Sequence, residues 1–99
     1  MDIRWLVDAL ADITEIYRYV ADDDPTTVGR IHAAIRLLRE APHRGRPGRW
    51  PGTRELVVSR TPYIVPYRVA GDLIEILRVV HGSRRWPPEP PNSRSARMI

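Results

Sequence analysis

The side chains able to do chemistry in this sequence are mostly arginines, and they gather in its second half. Arg54, Arg68, Arg84 and Arg85 lie in the run from Thr53 to Trp86, TRELVVSRTPYIVPYRVAGDLIEILRVVHGSRRW, with His81 near its end. A guanidinium pairs bidentately with phosphate or carboxylate. A histidine has the intrinsic pKa for proton transfer near neutrality. Such a set can hold an anionic partner. It can also cleave a phosphodiester, if a base, a phosphate-binding cation and an acid converge on one phosphorus. Trp50 and Trp86 stand beside the arginines and can either stack on bases or anchor the chain to its own core.

The charge distribution supports an anionic partner. All sixteen basic residues are arginine. Residues 1–40 carry five Arg against eight Asp and Glu, a net −3, and residues 41–99 carry eleven against four, a net +7. A surface that meets phosphate or an acidic protein is expected from that asymmetry. There is no cysteine, which excludes disulfides, thiolate metal sites and thiol nucleophiles. The adjacent Asp22, Asp23 and Asp24 lack further spaced ligands, so no metal and no cofactor is assigned. The start Met1-Asp2-Ile3-Arg4-Trp5 lacks the form of a signal peptide, and no apolar run reaches the ~20 residues that span a bilayer. A soluble, cytoplasmic protein is expected.

The elements that must position these groups follow from periodicity. Asp2 to Arg4 reads as a short strand. From Trp5, apolar residues recur at Ala9, Ile13, Ile16, Tyr17 and Val20, one stripe of a helix that stops near Ala21, with Asp8, Asp12, Glu15 and Arg18 on the other side. Asp24 suits an N-cap and Pro25 the first helical position of a second helix, marked by Val28, Ile31, Ile35 and Leu38 and ended before Pro42. His32 falls next to that stripe as a surface residue. Pro42 to Gly52, PHRGRPGRWPG, is a loop in which the arginines and Trp50 either contact nucleic acid or form a solvated rim with Trp50 packed down.

Three strands follow. Arg54 to Arg60 is centred on Leu56, Val57 and Val58. In Tyr63 to Ala70, Tyr63, Val65, Tyr67 and Val69 share one face, and Ile64 and Arg68 take the other. Pro66 cannot donate to a ladder, so its side of that strand is an edge or meets a bulge. Gly71-Asp72 turns the chain into Leu73 to Val80. There Leu73, Leu77 and Val79 lie on one face and Ile74, Ile76 and Val80 on the other, as in a central strand covered on both sides. The fold expected is α+β, a helical hairpin packed on a small, mainly antiparallel sheet over residues 1–86, with a Pro-rich, extended or disordered tail at 87–99.

This order of elements resembles the RelE/ParE superfamily of bacterial toxin–antitoxin modules, closer to its ParE-like members. The resemblance rests on Trp5 and Ala9 at the helix start, the glycine-arginine loop leading to Gly52-Thr53-Arg54-Glu55-Leu56, the strand Pro62-Tyr63 to Tyr67-Arg68-Val69, and Ile76-Leu77-Arg78-Val79-Val80-His81-Gly82 followed by Arg84-Arg85-Trp86. It implies a type II toxin and, as in plasmid-stabilisation modules, a cognate antitoxin, ParD-like or other, that neutralises it in a hetero-oligomer and binds operator DNA. The implied target is DNA gyrase for ParE-like members, or the ribosome and its mRNA for RelE-like endonucleases. RelE-like enzymes tend to carry a catalytic arginine just after Tyr63, where this chain has Ile64. They carry lysines on the second strand, where Glu55 and Val57 stand, and a C-terminal tyrosine, where Pro87-Pro88-Glu89-Pro90 stands.

By that resemblance a binding toxin that inhibits gyrase, and not an enzyme, leads. The alternatives are an mRNA endonuclease and a non-toxic basic nucleic-acid-binding module. For catalysis the candidates are His81, Arg68 and Arg54. For target or antitoxin binding they are Arg54, Arg68, Arg84, Arg85, Trp86 and Trp50. His81 also suits a strand end that caps the core, Arg54 a cross-strand ion pair with Glu55, and Arg68 a bidentate anchor for an antitoxin carboxylate.

Overall fold

The computed structural model describes residues 1–20 and 24–91, and the backbone of 96–98. Strand β1 (Asp2–Leu6) leads into helix α1 (Val7–Val20), and helix α2 is Thr27–Leu37. Then come β2 (Arg46–Pro47), β3 (Arg54–Val57), β4 (Tyr63–Ala70), β5 (Leu73–Ile76), β6 (Val80–His81) and β7 (Ala96–Met98). The sheet order is β2-β3-β4-β5-β1-β7, with β6 paired to the start of β4. Two helices on a mixed, mostly antiparallel sheet make the α+β class, as expected.

The expected three-stranded meander is the middle of this sheet, and β1 extends it. Ile3 lies opposite Ile74 and Trp5 opposite Ile76 in a parallel pairing. The strand therefore continues to Leu6, and α1 begins at Val7 instead of Trp5. The physical reason is two-sided burial. Trp5 packs into the core under the helices and Leu6 into a second cluster on the opposite face, a period-2 placement that a helix cannot provide.

The helices bury the stripes their spacing dictates. Ala9, Ile13 and Ile16 of α1, with Ile31 and Ile35 of α2 and Leu38 just after it, pack on Val65, Tyr67, Ile74 and Ile76. Each fully buried aliphatic side chain contributes roughly 1.5–3 kcal/mol. Tyr17 is a correction: it is 65% exposed and points away from that stripe. The start of α2 is another. Asp24 accepts from the backbone N–H and hydroxyl of Thr26, forming a turn that delays the helix to Thr27, so Thr26 is the N-cap and Pro25 lies before it. Asp22 and Asp23 lie outside the described residues.

Alternation along β4 is as expected, with Tyr63, Val65, Tyr67 and Val69 toward the helices and Ile64 in the second cluster. The third expected strand is broken instead of continuous. Regular pairing stops at Ile76 and resumes at Val80. The break reverses the register of sides. Val79 joins Ile76 in the helix-side core, while Val80 packs with Leu77 on the other face. Pro66 explains where this happens. Its carbonyl accepts from the Leu77 N–H at 3.0 Å, so its own donor-less nitrogen faces the same side, where β5 ends.

In the Pro-rich segment, the Pro87 carbonyl accepts from the Trp50 indole N–H. Ala96–Met98 runs antiparallel to β1. Residues 92–95 and 99 lie outside the described residues.

Candidate functional site

The loop between α2 and β3 is tied down on both faces of the sheet. On the helix side the Tyr67 hydroxyl donates to the Pro42 carbonyl and accepts from the Gly45 N–H, both at 2.8 Å. Gly45 is required there, since a Cβ would lie 2.7 Å from the Tyr67 ring and hydroxyl. Burial raises the Tyr67 pKa against the lowering effects of Gly45 and Arg54, which keeps the hydroxyl protonated and able to donate. On the other face Glu55, 4% exposed, accepts from Arg46, from the Arg49 guanidinium and from the Arg49 backbone N–H. Burial opposes its ionisation, but these donors outweigh it and hold its pKa below the usual carboxylate value. Arg49 then lies 3.4 Å above the Trp86 ring, and Trp86 packs on Trp50 with centroids 5.6 Å apart.

These contacts fix where the expected site residues stand. Trp50 is 4% and Trp86 8% exposed, so both are anchors of the second core and neither presents a face to a base. Arg54 does not pair with Glu55, which Arg46 and Arg49 already hold. Arg54 donates to the carbonyls of His43 and Gly45, at 3.2 and 2.7 Å. Arg68 donates to Glu75 at 3.1 Å, from a neighbouring strand.

His81 and the terminal arginines form a separate group. His81 lies opposite Tyr63, ring edge to ring face with centroids 5.6 Å apart. Its Nδ1 accepts from the Ser83 N–H at 3.2 Å, which places the proton of a neutral ring on Nε2. His81, Arg84 and Arg85 line one cleft of about 480 Å³, closed by Ile16, Tyr19 and Tyr63. Arg84 and Arg85 are exposed.

Register separates this cleft from the other two arginines. Arg54 lies opposite Tyr67, four residues along β4 from Tyr63 and across β4 from His81, a backbone separation of roughly 16 Å. Arg68 is five residues from Tyr63 and on the opposite face of the sheet, roughly 17 Å away. The structure thus gathers His81, Arg84 and Arg85 and leaves Arg54 and Arg68 apart from them and from each other.

Two residues of the cleft carry more than their sequence positions promised. Arg78 sits in the break after β5 and grips Asp12 of α1 with two hydrogen bonds, 2.6 and 2.9 Å, while Asp12 also accepts from the Val79 N–H. The Asp12 contact raises the Arg78 pKa, with burial acting against it. This clamp holds the irregular segment, and with it His81, against α1. Asp12 was placed on the outer side of the helix, yet it lies three residues after buried Ala9 and four before buried Ile16. That spacing puts it on the margin of the buried stripe. Among the described residues, no group of His, Cys, Asp and Glu can hold a metal ion, and no helix is long and apolar enough to cross a membrane.

Comparison with known proteins gives concordant matches. Residues 3–86 match the model of the ParE toxin of the type II toxin–antitoxin system, parDE. The chain is 47% identical over 89 residues to Y4kP of Sinorhizobium fredii strain NGR234, covering 86% of this chain and 92% of that protein. It is 40% identical over 88 residues to Toxin RelE2 of Caulobacter vibrioides, covering 83% and 96%. Among solved structures it resembles one from the chromosomal ParDE toxin–antitoxin system of P. aeruginosa, with a TM-score of 0.73, 31% identity and coverage of 82% of this chain and 95% of that one.

Proposed function

The chain belongs to the ParE toxin family of type II toxin–antitoxin systems, and from that premise we propose that it arrests growth by binding DNA gyrase and is neutralised by a cognate antitoxin. The observation that carries the choice of target is the dispersal of the candidate nuclease residues. Cleavage through a 2′-hydroxyl needs base, cation and acid within hydrogen-bond reach of one phosphodiester. Here Arg54 is spent on loop carbonyls, Arg68 is on the far face, and only His81 faces the cleft. Ile64, at the position where an endonuclease would carry its arginine, is buried against Leu77. A protein that acts by binding needs no such convergence. It needs an exposed, chemically distinctive surface, and His81, Arg84 and Arg85 around a cleft with one apolar wall supply one.

The names of the relatives include both ParE and RelE, so names do not select the target. The endonuclease reading keeps one specific support, a histidine whose Nε2 is protonated at the mouth of a cleft beside two arginines.

Induced expression in bacteria, with and without the protein encoded beside this chain's gene, tests the proposal. Arrest of growth with relaxed plasmid DNA, relieved by the neighbour, is expected. Arrest with intact plasmid supercoiling and transcripts cut on ribosomes would move the assignment to the endonuclease. No arrest, with salt-sensitive binding to DNA or RNA, would move it to a nucleic-acid-binding module.

A further inference from the structure

The cleft between α1 and the turn after β6 holds more chemistry than contact with a protein target uses. The turn contributes three donors. Nδ1 of His81 is taken by Ser83, which leaves the Nε2–H for a ligand, and Arg84 and Arg85 line the same cleft. Neither arginine has a carboxylate partner among the described residues. Such a set fits phosphate oxygens, which a guanidinium can meet bidentately.

The wall supplied by α1 is of another kind. Asp12, Glu15, Ile16 and Tyr19 stand at helical steps of three and four along its cleft side. Asp12 is occupied by Arg78 and the Val79 N–H. Glu15, one turn on, enters none of the ion pairs among the described residues. Its carboxylate is an open acceptor in a cleft whose other unpaired charges are positive. The remaining lining is apolar or aromatic. Tyr63 is held edge to face by His81, whereas Tyr19 is 72% exposed, which leaves its ring face available for stacking.

A purely anionic partner explains the arginines but is repelled by Glu15. One ligand class joins a phosphate tail to a flat ring and a hydrogen-bonding edge, and that is a nucleotide. Guanine carries two adjacent donors, N1–H and the 2-amino group, which a carboxylate accepts as a pair. Adenine and cytosine set a bare ring nitrogen beside their amino group and cannot do so. The volume, about 480 Å³, is of the size that takes a small molecule. We infer that this cleft binds a free guanine nucleotide. Glu15 accepts from the base edge, Tyr19 covers the ring, and His81, Arg84 and Arg85 hold the phosphates. The site rests on the cleft alone. A nucleotide there covers Arg84 and Arg85, so it also competes with the target, a consequence that rests on the gyrase reading above.

Titration calorimetry of the full-length chain with GDP, ADP and pyrophosphate tests the site, and circular dichroism checks that each variant is folded. GDP is expected to bind about tenfold or more tighter than either of the others. Glu15→Gln should abolish the preference over ADP, and R84A/R85A should weaken GDP about tenfold or more. Arg39→Ala, at an exposed cation outside the cleft, should leave GDP affinity unchanged. Equal affinity for the three ligands, or an unchanged preference for GDP in Glu15→Gln, would overturn the proposal. Binding of guanine-containing single-stranded RNA without binding of GDP would assign the cleft to a macromolecule and also overturn it. In a supercoiling assay, added GDP should relieve inhibition of gyrase. Bound GDP with inhibition unrelieved would overturn the competition alone. A chain that binds GDP and leaves gyrase untouched would overturn the gyrase reading and keep the nucleotide site.

Discussion

Two arginine-rich regions of this chain look alike as text and differ in three dimensions. In the first, from Arg46 to Arg54, the guanidinium groups are consumed internally. Arg46 and Arg49 neutralise the buried Glu55, Arg49 also covers Trp86, and Arg54 closes on backbone carbonyls. In the second, from His81 to Arg85, the arginines stand exposed around a cleft with an apolar wall. The difference lies in where acceptors are. One buried carboxylate and two loop carbonyls convert three arginines from surface charge into scaffold, and no carboxylate pairs with Arg84 or Arg85 among the described residues. An arginine count therefore overstates the working surface, and the location of the few acids in the second half corrects it.

Substitutions can break this contrast. Trp50→Ala should cost the most, about 3–5 kcal/mol, because it opens a cavity under Trp86 and frees the loop. Asp12→Ala should follow at about 2–4 kcal/mol, since it strands Arg78 and the Val79 N–H. Glu55→Ala, which strands the Arg49 N–H, should cost about 1–3 kcal/mol. Urea unfolding measures all three. Arg84→Ala and Arg85→Ala should change stability by no more than about 0.5 kcal/mol. They should nevertheless reduce target affinity about tenfold, the worth of one charge-assisted hydrogen bond. Equal effects in the two regions would erase the distinction.

Acidification should sharpen it. Burial, and after it Arg36, lowers the His32 pKa below 6.5 in the fold, where its ring lies 5.4 Å from Trp5. The unfolded chain then binds more protons just below that value, so stability is full above pH 6.5 and declines beneath it. The lowered pKa of Glu55 adds a second decline, beginning below its ordinary 4.5. Unfolding free energy measured from pH 8 to pH 3 should show both steps, and His32→Gln should remove the upper one.

Much of the fold was legible because burial imposes period. The helical stripes and the alternation of β4 follow from residue spacing alone. Three features were not legible, each for a nonlocal reason. Trp5 and Leu6 read as a helix start because their strand partners lie some seventy residues away, at Ile76 and its neighbours. The break at Leu77–Val79 is set by Pro66 on another strand. Asp12 read as solvated because its partner, Arg78, is visible only once that break is in place. The candidate site was legible in part. His81, Arg84 and Arg85 came together as their proximity in sequence implies, whereas Arg54 and Arg68 were separated by strand register and face, which composition does not encode.

The most direct measurement is DNA supercoiling by purified gyrase with increasing amounts of this chain, alongside mRNA cleavage on translating ribosomes. Loss of supercoiling by the wild type, reversed by the antitoxin and weakened in Arg84→Ala and Arg85→Ala, is the expected result. Unchanged supercoiling together with cleaved mRNA would contradict it.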